Sequence, residues 1–276
     1  MRGSIHAGAT GAVTPHTLPT GPVAPRLLER DLDPAAGDAA LWLVGVAEHA
    51  SPGSGGDRAA AEQSLLNPAE RSRAAAFVRP DDRDRYQVAH TAIRRLLGAY
   101  LGTEPAAVDF TREACPGCGG PHGRPAVPGN PLYFSLSHSG DFVLLAFARA
   151  AVGADIEEVP AAGTAAEIAP SLHPAERAEL AALPASARAA AFARCWTRKE
   201  AFLKGTGIGL AEDLSHTYVG AGPVPGAPED WRLTDVLVPA PGSPDGTGHP
   251  GYAAACAVRH HDGGPAADPR LTRTAE

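Results

Sequence analysis

VGADIEEV, residues 152–159, begins as a buried β-strand does and then sets two carboxylates, Asp155 and Glu157, two positions apart. Side chains alternate between the faces of a strand, so Asp155 and Glu157 share one face and Val152, Ala154 and Ile156 the other. Two carboxylates side by side repel each other unless a cation lies between them. A second stretch, CWTRKEAFLKGTGIGL (195–210), reads as a helix on which Glu200 and Lys204, four apart, share a face, with Lys199 next to Glu200 around the turn. Trp196, Phe202 and Leu203 can anchor that helix in a core. If the helix packs beside the strand, Glu200 joins Asp155 and Glu157 in a hard, oxygen-rich site of the kind that suits Mg²⁺. Mg²⁺ shares its octahedron with waters and phosphate oxygens, so a lysine one turn away points to a phosphorylated substrate. Each piece also has a plainer reading, a solvated strand edge and an exposed helix face.

Working outward, LYFSLSHSG (132–140) and DFVLLAFARA (141–150) read as two strands meeting at a tight Ser-Gly-Asp turn, and ALWLVGVAEH (40–49) as an earlier strand. At NPAERSRAAAFV, Asn67 caps a helix, Pro68 suits its first position and Glu70 completes a capping box. From 81 to 102 Tyr86, Ala89, Ile93, Leu96, Leu97 and Tyr100 recur at helical spacing, which predicts a long amphipathic helix with a basic outer side. AVDF (107–110) reads as a short strand, CPGCGGPHGRP (115–125) as a turn-rich loop, 51–57 as a flexible loop. Helices are predicted over about 164–182 and 185–204, the latter ended by Gly205 and Gly207. LSHTYVG, WRLTDVLVP and GYAAACAV read as closing strands. The fold class is α+β in two similar α/β halves: a loose arm over 1–36, a first subdomain over 37–150, a second over 151–262, and a polar tail over 263–276.

A chain of 276 residues, 44% hydrophobic, is long enough for a sizeable core. Its net charge of −7 argues against nucleic acid as a partner. No apolar run reaches bilayer length and the N-terminus lacks the apolar centre of a signal peptide, so a cytoplasmic protein is expected. Only two of the 24 basic residues are lysines, Lys199 and Lys204, five positions apart. Four cysteines are no disulfide framework. Cys115, Cys118 and His122 have zinc-ligand types, but a structural zinc site wants four ligands and no fourth is near, so the segment is read as an ordinary loop.

G-x-D-x-E at Gly153–Glu157 followed by W-x-x-K-E-A-x-x-K at Trp196–Lys204 resembles the signature of the 4′-phosphopantetheinyl transferases, of the larger pseudodimeric type that activates carrier proteins of peptide and polyketide synthases. FSLSHSG (134–140) is similar to the family's F-N-x-S-H-S, and GRP (123–125) to its G-K-P. The resemblance implies two subdomains related by pseudo-twofold symmetry, with the active site in the cleft between them. It implies transfer of the phosphopantetheine arm of coenzyme A to a serine of an apo acyl or peptidyl carrier protein, releasing adenosine 3′,5′-bisphosphate. Asp155, Glu157 and Glu200 would then hold Mg²⁺, Glu200 would take the serine proton, and Lys204 would meet the pyrophosphate. Ser137 and His138 match family residues at the phosphates, Arg73 and Arg85 those at the 3′-phosphate, and Arg124 the lysine of G-K-P. Where the family often has another cation this chain has Glu70. A monomer is expected, since a pseudodimer supplies both halves of the site. The competing reading is another Mg²⁺-dependent phosphotransferase or phosphohydrolase. The Ser137–His138 pair is not read as a hydrolase site, because neighbours on a strand face opposite ways and no G-x-S-x-G elbow exists.

Overall fold

The computed structural model describes residues 12–20, 23, 39–50, 56–129, 131–208, 213–226, 228–240 and 248–260. Two antiparallel units carry the chain. In the first, β2 (Ala40–Gly45), β6 (Phe142–Ala148) and β5 (Tyr133–Ser139) lie side by side, with the short β1 (His16–Thr17) parallel to β2 at the edge. In the second, β9 (Tyr252–Arg259) lies between β7 (Val152–Glu158) and β8 (Trp231–Asp235). A two-rung hairpin of β3 (Thr111–Arg112) and β4 (Pro125–Ala126) stands apart from both sheets.

The alternation of side chains explains the layering. Trp42, Val44, Val143, Leu145 and Phe147 pack against Val88, Ala89, Ala92, Ile93, Leu96 and Leu97 of α4 (Pro80–Leu101). Leu41, Leu43, Leu144 and Ala146, from the opposite face of the same strands, pack against Val152, Ala154, Ile156, Cys256 and Val258 of the second sheet. That sheet's far face, with Leu233, Ala255 and Ala257, meets Ala201, Phe202 and Leu203 of α7 (Ala185–Thr206). Helix, sheet, sheet and helix are thus stacked, and both sheets are buried on both faces. The Val152, Ala154 and Ile156 side of β7 faces the other sheet, while its Gly153, Asp155 and Glu157 side is turned toward α7.

Several elements differ from the sequence reading, each for a visible reason. The first strand ends at Gly45 and continues as α1 (Val46–Ala50). Of the expected loop 51–57, residues 51–55 lie outside the described residues and 56–57 open α2 (Gly56–Leu65). The capping box at Asn67 and Glu70 forms at the start of α3 (Pro68–Ala75). AVDF is not a strand. Arg94, inside the core instead of on a basic outer side, takes the carbonyls of Pro105 and Val108; a 3₁₀ turn covers Pro105–Ala107 and residues 108–110 are irregular. LSHTYVG is irregular because its polar backbone groups serve buried side chains of α7 and of α6 (Pro174–Ala182) instead of a ladder. The helical reading of 164–182 divides into α5 (Ala162–Ile168), a 3₁₀ turn and α6. Gly205 lies within α7, and Gly207, at φ 77°, is its left-handed cap. Within the expected loose arm, Leu18 is buried and β1 is docked on β2; the rest of that arm, and the tail over 263–276, lie outside the described residues. No helix among the described residues is long and apolar enough to cross a membrane.

Candidate functional site

Gly153 decides where the acidic strand meets the helix. A Cβ at Gly153 would lie 1.9 Å from the Ala201 carbonyl oxygen and 2.4 Å from the Gly205 nitrogen. Backbone therefore presses on backbone, and a Cβ at Gly205 would in turn strike the Trp231 ring at 2.5 Å. This close crossing brings the Asp155 and Glu157 side of β7 alongside the Glu200 and Lys204 face of α7. Gly153→Ala is expected to cost about 1–3 kcal/mol, because the crossing cannot open without repacking. A urea midpoint equal to that of the wild type would contradict this close approach.

Serines fix the other side of the strand. Ser135, Ser137 and Ser139, alternate residues of β5, all turn toward β7. Ser135 Oγ accepts from the Ala154 amide at 3.0 Å and Ser139 Oγ from the Glu158 amide at 3.1 Å. Ser137 Oγ donates to Asp155 Oδ1 at 2.8 Å, and Ser139 Oγ to Glu157 Oε2 at 3.1 Å. Hydroxyls thus replace a backbone ladder between the two sheets. The S-x-S-x-S alternation was the available signal for this, and only Ser137 was singled out from sequence.

The cation beside the β7 carboxylates is Lys204, which binds Asp155. Its Nζ lies 2.6 Å from Asp155 Oδ1 and 3.0 Å from Ser137 Oγ. Asp155 is 1% exposed, so it is no cleft-edge carboxylate free of packing, and its Oδ2 has no hydrogen-bond partner. Burial pushes the Asp155 carboxyl above its usual range against the pull of Lys204. Burial, and next the Asp155 charge, also push Glu157 and Glu200 up. The three carboxylates therefore sense one another, although their oxygens do not converge within 4.8 Å as a ready ligand set. The Glu200 carboxylate makes no hydrogen bond among the described residues. An orphaned buried oxygen among three mutually repelling carboxylates is a donor set that fits a divalent cation.

Lys204 also lines a cleft of about 950 Å³. Its wall includes Arg73, Tyr86, His90, His122 and Arg124. Tyr86 and His90, one turn apart on α4, pack ring to ring with centroids 4.1 Å apart and planes tilted by 30°; their i, i+4 spacing is the sequence signal for this wall. Glu70 caps α3, binds Arg94 Nε at 2.8 Å and meets His90 Nδ1 at 3.0 Å. Arg124 binds Glu113 through Nε and Nη2, packs over the Tyr133 ring and donates to the Gly205 carbonyl, tying the hairpin to the end of α7.

Arg85 and His138 are not in the cleft wall. Arg85 donates to the Gly140 carbonyl at 2.8 Å and to Asp82 at 3.0 Å. His138 is exposed, near the end of the β5 face opposite Ser137. Lost hydration of its ring, and then the Arg85 and Lys204 charges, hold its imidazole below the usual value. Lys199, beside Glu200 in sequence, is absent from this site: it is buried against Glu176.

One grouping was not expected. Cys115, Cys118 and His122, read as an ordinary loop, place one ligand atom each within 4.8 Å of one another, and among the described residues they alone do so.

Residues 151–224 match the sequence model of the 4′-phosphopantetheinyl transferase superfamily. The chain is similar to the 4′-phosphopantetheinyl transferase HetI of Nostoc sp. (strain PCC 7120), 34% identical over 156 residues, 54% of this chain and 62% of that protein. It is similar to a putative 4′-phosphopantetheinyl transferase, slr0495, of Synechocystis sp. (strain PCC 6803), 29% identical over 62% of this chain and 72% of that one. It is also similar to the 4′-phosphopantetheinyl transferase Sfp of Bacillus subtilis (strain 168), 26% identical over 55% of this chain and 64% of the relative. The chain thus spans less than two thirds of the HetI and Sfp proteins.

Proposed function

We propose that this chain, a member of the 4′-phosphopantetheinyl transferase superfamily, transfers the phosphopantetheine arm of coenzyme A to a serine of an apo acyl or peptidyl carrier protein. The observation that carries the reading is the buried Asp155, with its orphaned oxygen, bound to a lysine that also lines the cleft. A polyanionic nucleotide suits a cleft whose walls include Lys204, Arg73 and Arg124. Asp155, Glu157 and Glu200 would hold Mg²⁺, which when bound neutralises charge on the pyrophosphate.

In this reading the serine oxygen of the carrier forms a bond to the phosphorus bearing the pantetheine arm. The phosphoanhydride bond breaks, and adenosine 3′,5′-bisphosphate leaves with the electron pair. Glu200 takes the serine proton; unlike Asp155 and Glu157, it is not engaged by a β5 serine. Lys204, a third exposed, can turn from Asp155 toward the departing phosphate, where negative charge grows toward the transition state. Ser137 holds Asp155 in place. Arg73 and Arg124 would meet the phosphates of coenzyme A in the cleft, and Arg85 and His138, outside that wall, would meet a phosphate that extends beyond it, Arg85 and Arg124 after exchanging part of their present partners.

The finer architecture belongs to the same proposal. Residues 37–150 and 151–262 would be pseudo-twofold related subdomains, each a sheet backed by a 22-residue helix, α4 or α7, with the active site in the cleft between them. A cytoplasmic monomer, with neither nucleic acid nor a membrane as partner, fits it. The reading as another phosphotransferase or phosphohydrolase gains nothing from the relatives named above.

The test is incubation with coenzyme A, Mg²⁺ and a defined apo carrier protein, followed by intact-mass measurement. One added phosphopantetheine is expected, and none on a carrier whose serine is replaced by alanine. Hydrolysis of coenzyme A with the carrier unmodified would overturn the proposal.

A further inference from the structure

The hairpin between β3 and β4 is held at its base by Arg124, but its ladder is short. Its strands are two residues each, which is marginal alone in water. Between them lie glycines, prolines, two cysteines and a histidine in place of packing side chains. The tip is nevertheless tightly turned. The Cys115 amide donates to the Gly120 carbonyl and the Gly119 amide to the Cys115 carbonyl, both at 2.8 Å, with Gly119 at φ 72°. The Gly120 amide donates to Cys118 Sγ at 3.4 Å, and the backbone amides of Cys118 and Gly117 favour the thiolate of Cys115 over its thiol. Amide donors around two sulfurs are what thiolates need. Cys118 Sγ and His122 Nε2 are 2.9 Å apart, and a Cβ at Gly120 would press on both side chains.

We propose that Cys115, Cys118 and His122 bind a zinc ion that fastens the tip of this hairpin. The donor set is soft, two thiolates and an imidazole, and C-x₂-C is the usual zinc spacing. Zn–S of about 2.3 Å and Zn–N of about 2.0 Å place tetrahedral ligand atoms about 3.5 Å apart, which the cluster meets with a small adjustment. Cys118 and His122 are exposed, so water can take the fourth position, as it does at zinc sites with three protein ligands, and among the described residues no fourth ligand joins the cluster. The ion would brace the wall of the cleft, because His122 lines it and Arg124, two residues on, ties the hairpin to α7. Cys195 and Cys256 do not compete for it: both are buried, and burial pushes the Cys256 thiol up to about 12.

The test uses untagged, reduced full-length protein loaded with Zn²⁺, passed through a desalting column and assayed for metal, and the same protein loaded with Co²⁺. Roughly one zinc per chain is expected, and Cys118→Ser and His122→Ala should each bind zinc about 100-fold more weakly or worse. The Co²⁺ protein should show thiolate-to-metal charge transfer and the intense visible bands of tetrahedral cobalt. The carboxylates near Lys204 can give neither, so this signature separates the two sites even if a variant folds poorly. Co²⁺ bound without thiolate bands, zinc retained fully in both variants, or a reduced protein that takes up no zinc would each overturn the proposal.

Discussion

Asp155→Asn is expected to lower phosphopantetheine transfer on the order of 100-fold or more, while thermal stability stays level or rises. The two halves of this result have one cause. A carboxyl that is 1% exposed, held above its usual range by burial and left with an unpartnered oxygen, is not what stability alone would retain. The amide keeps the shape and can still accept from Ser137 and Lys204 through Oδ1. It removes the buried charge, but it puts an N–H₂ group where an oxygen ligand for a cation is needed. Asparagine is therefore more telling than alanine, which would also open a cavity beside Ser137. The measurement is kcat/KM for coenzyme A with a defined apo carrier, alongside melting curves with and without Mg²⁺. The wild type should gain stability from the ion by mass action and the variant should not. A variant that transfers at the wild-type rate in saturating Mg²⁺ would remove Asp155 from the metal assignment.

The same residue shows what the sequence made legible. Strand alternation placed Asp155 beside Glu157, helical spacing placed Glu200 beside Lys204, and the structure turns these two faces toward each other. Both are short-range patterns. What alternation could not convey is that β7 is covered on both faces, since burial depends on which layers lie above and below. Arg94 shows the same limit. On a helical wheel it belongs with the basic residues of α4, but Glu70 and two carbonyls from the following segment draw it to 1% exposure. AVDF fails as a strand for the same reason, the Val108 carbonyl being committed to that arginine. At the hairpin tip ligand types alone were legible, because it is the turns of an eight-residue stretch that bring Cys115, Cys118 and His122 together.

Lys199→Met is expected to destabilise the fold by about 3–5 kcal/mol, while the kcat of the molecules that remain folded changes little. Lys199 and Lys204 are neighbours in sequence but lie about 140° apart around α7, and they serve different ends of the architecture. Lys204 reaches the cleft. Lys199 Nζ, 2% exposed, binds Glu176 Oε2 at 2.8 Å and the carbonyls of Leu214 and Thr217. Glu176 is wholly buried, and its carboxylate also accepts the amides of Val219 and Gly220 and caps its own helix at His173. The pair therefore pins the irregular 214–220 segment to α6 and α7. Methionine, unbranched and one atom shorter than lysine, fills most of its space but leaves the Glu176 charge buried without a cation, which is the expensive way to break such a pair. The double variant Lys199→Met, Glu176→Gln removes both charges and should recover part of the loss, because Gln Oε1 can still accept from Val219. Denaturant midpoints for the wild type, both single variants and the double variant give the coupling directly, and a drop of about 10 °C or more in Tm should accompany Lys199→Met. If Lys199→Met leaves the midpoint in place and lowers kcat instead, the lysine acts in the reaction and the structural pin assigned to it is wrong.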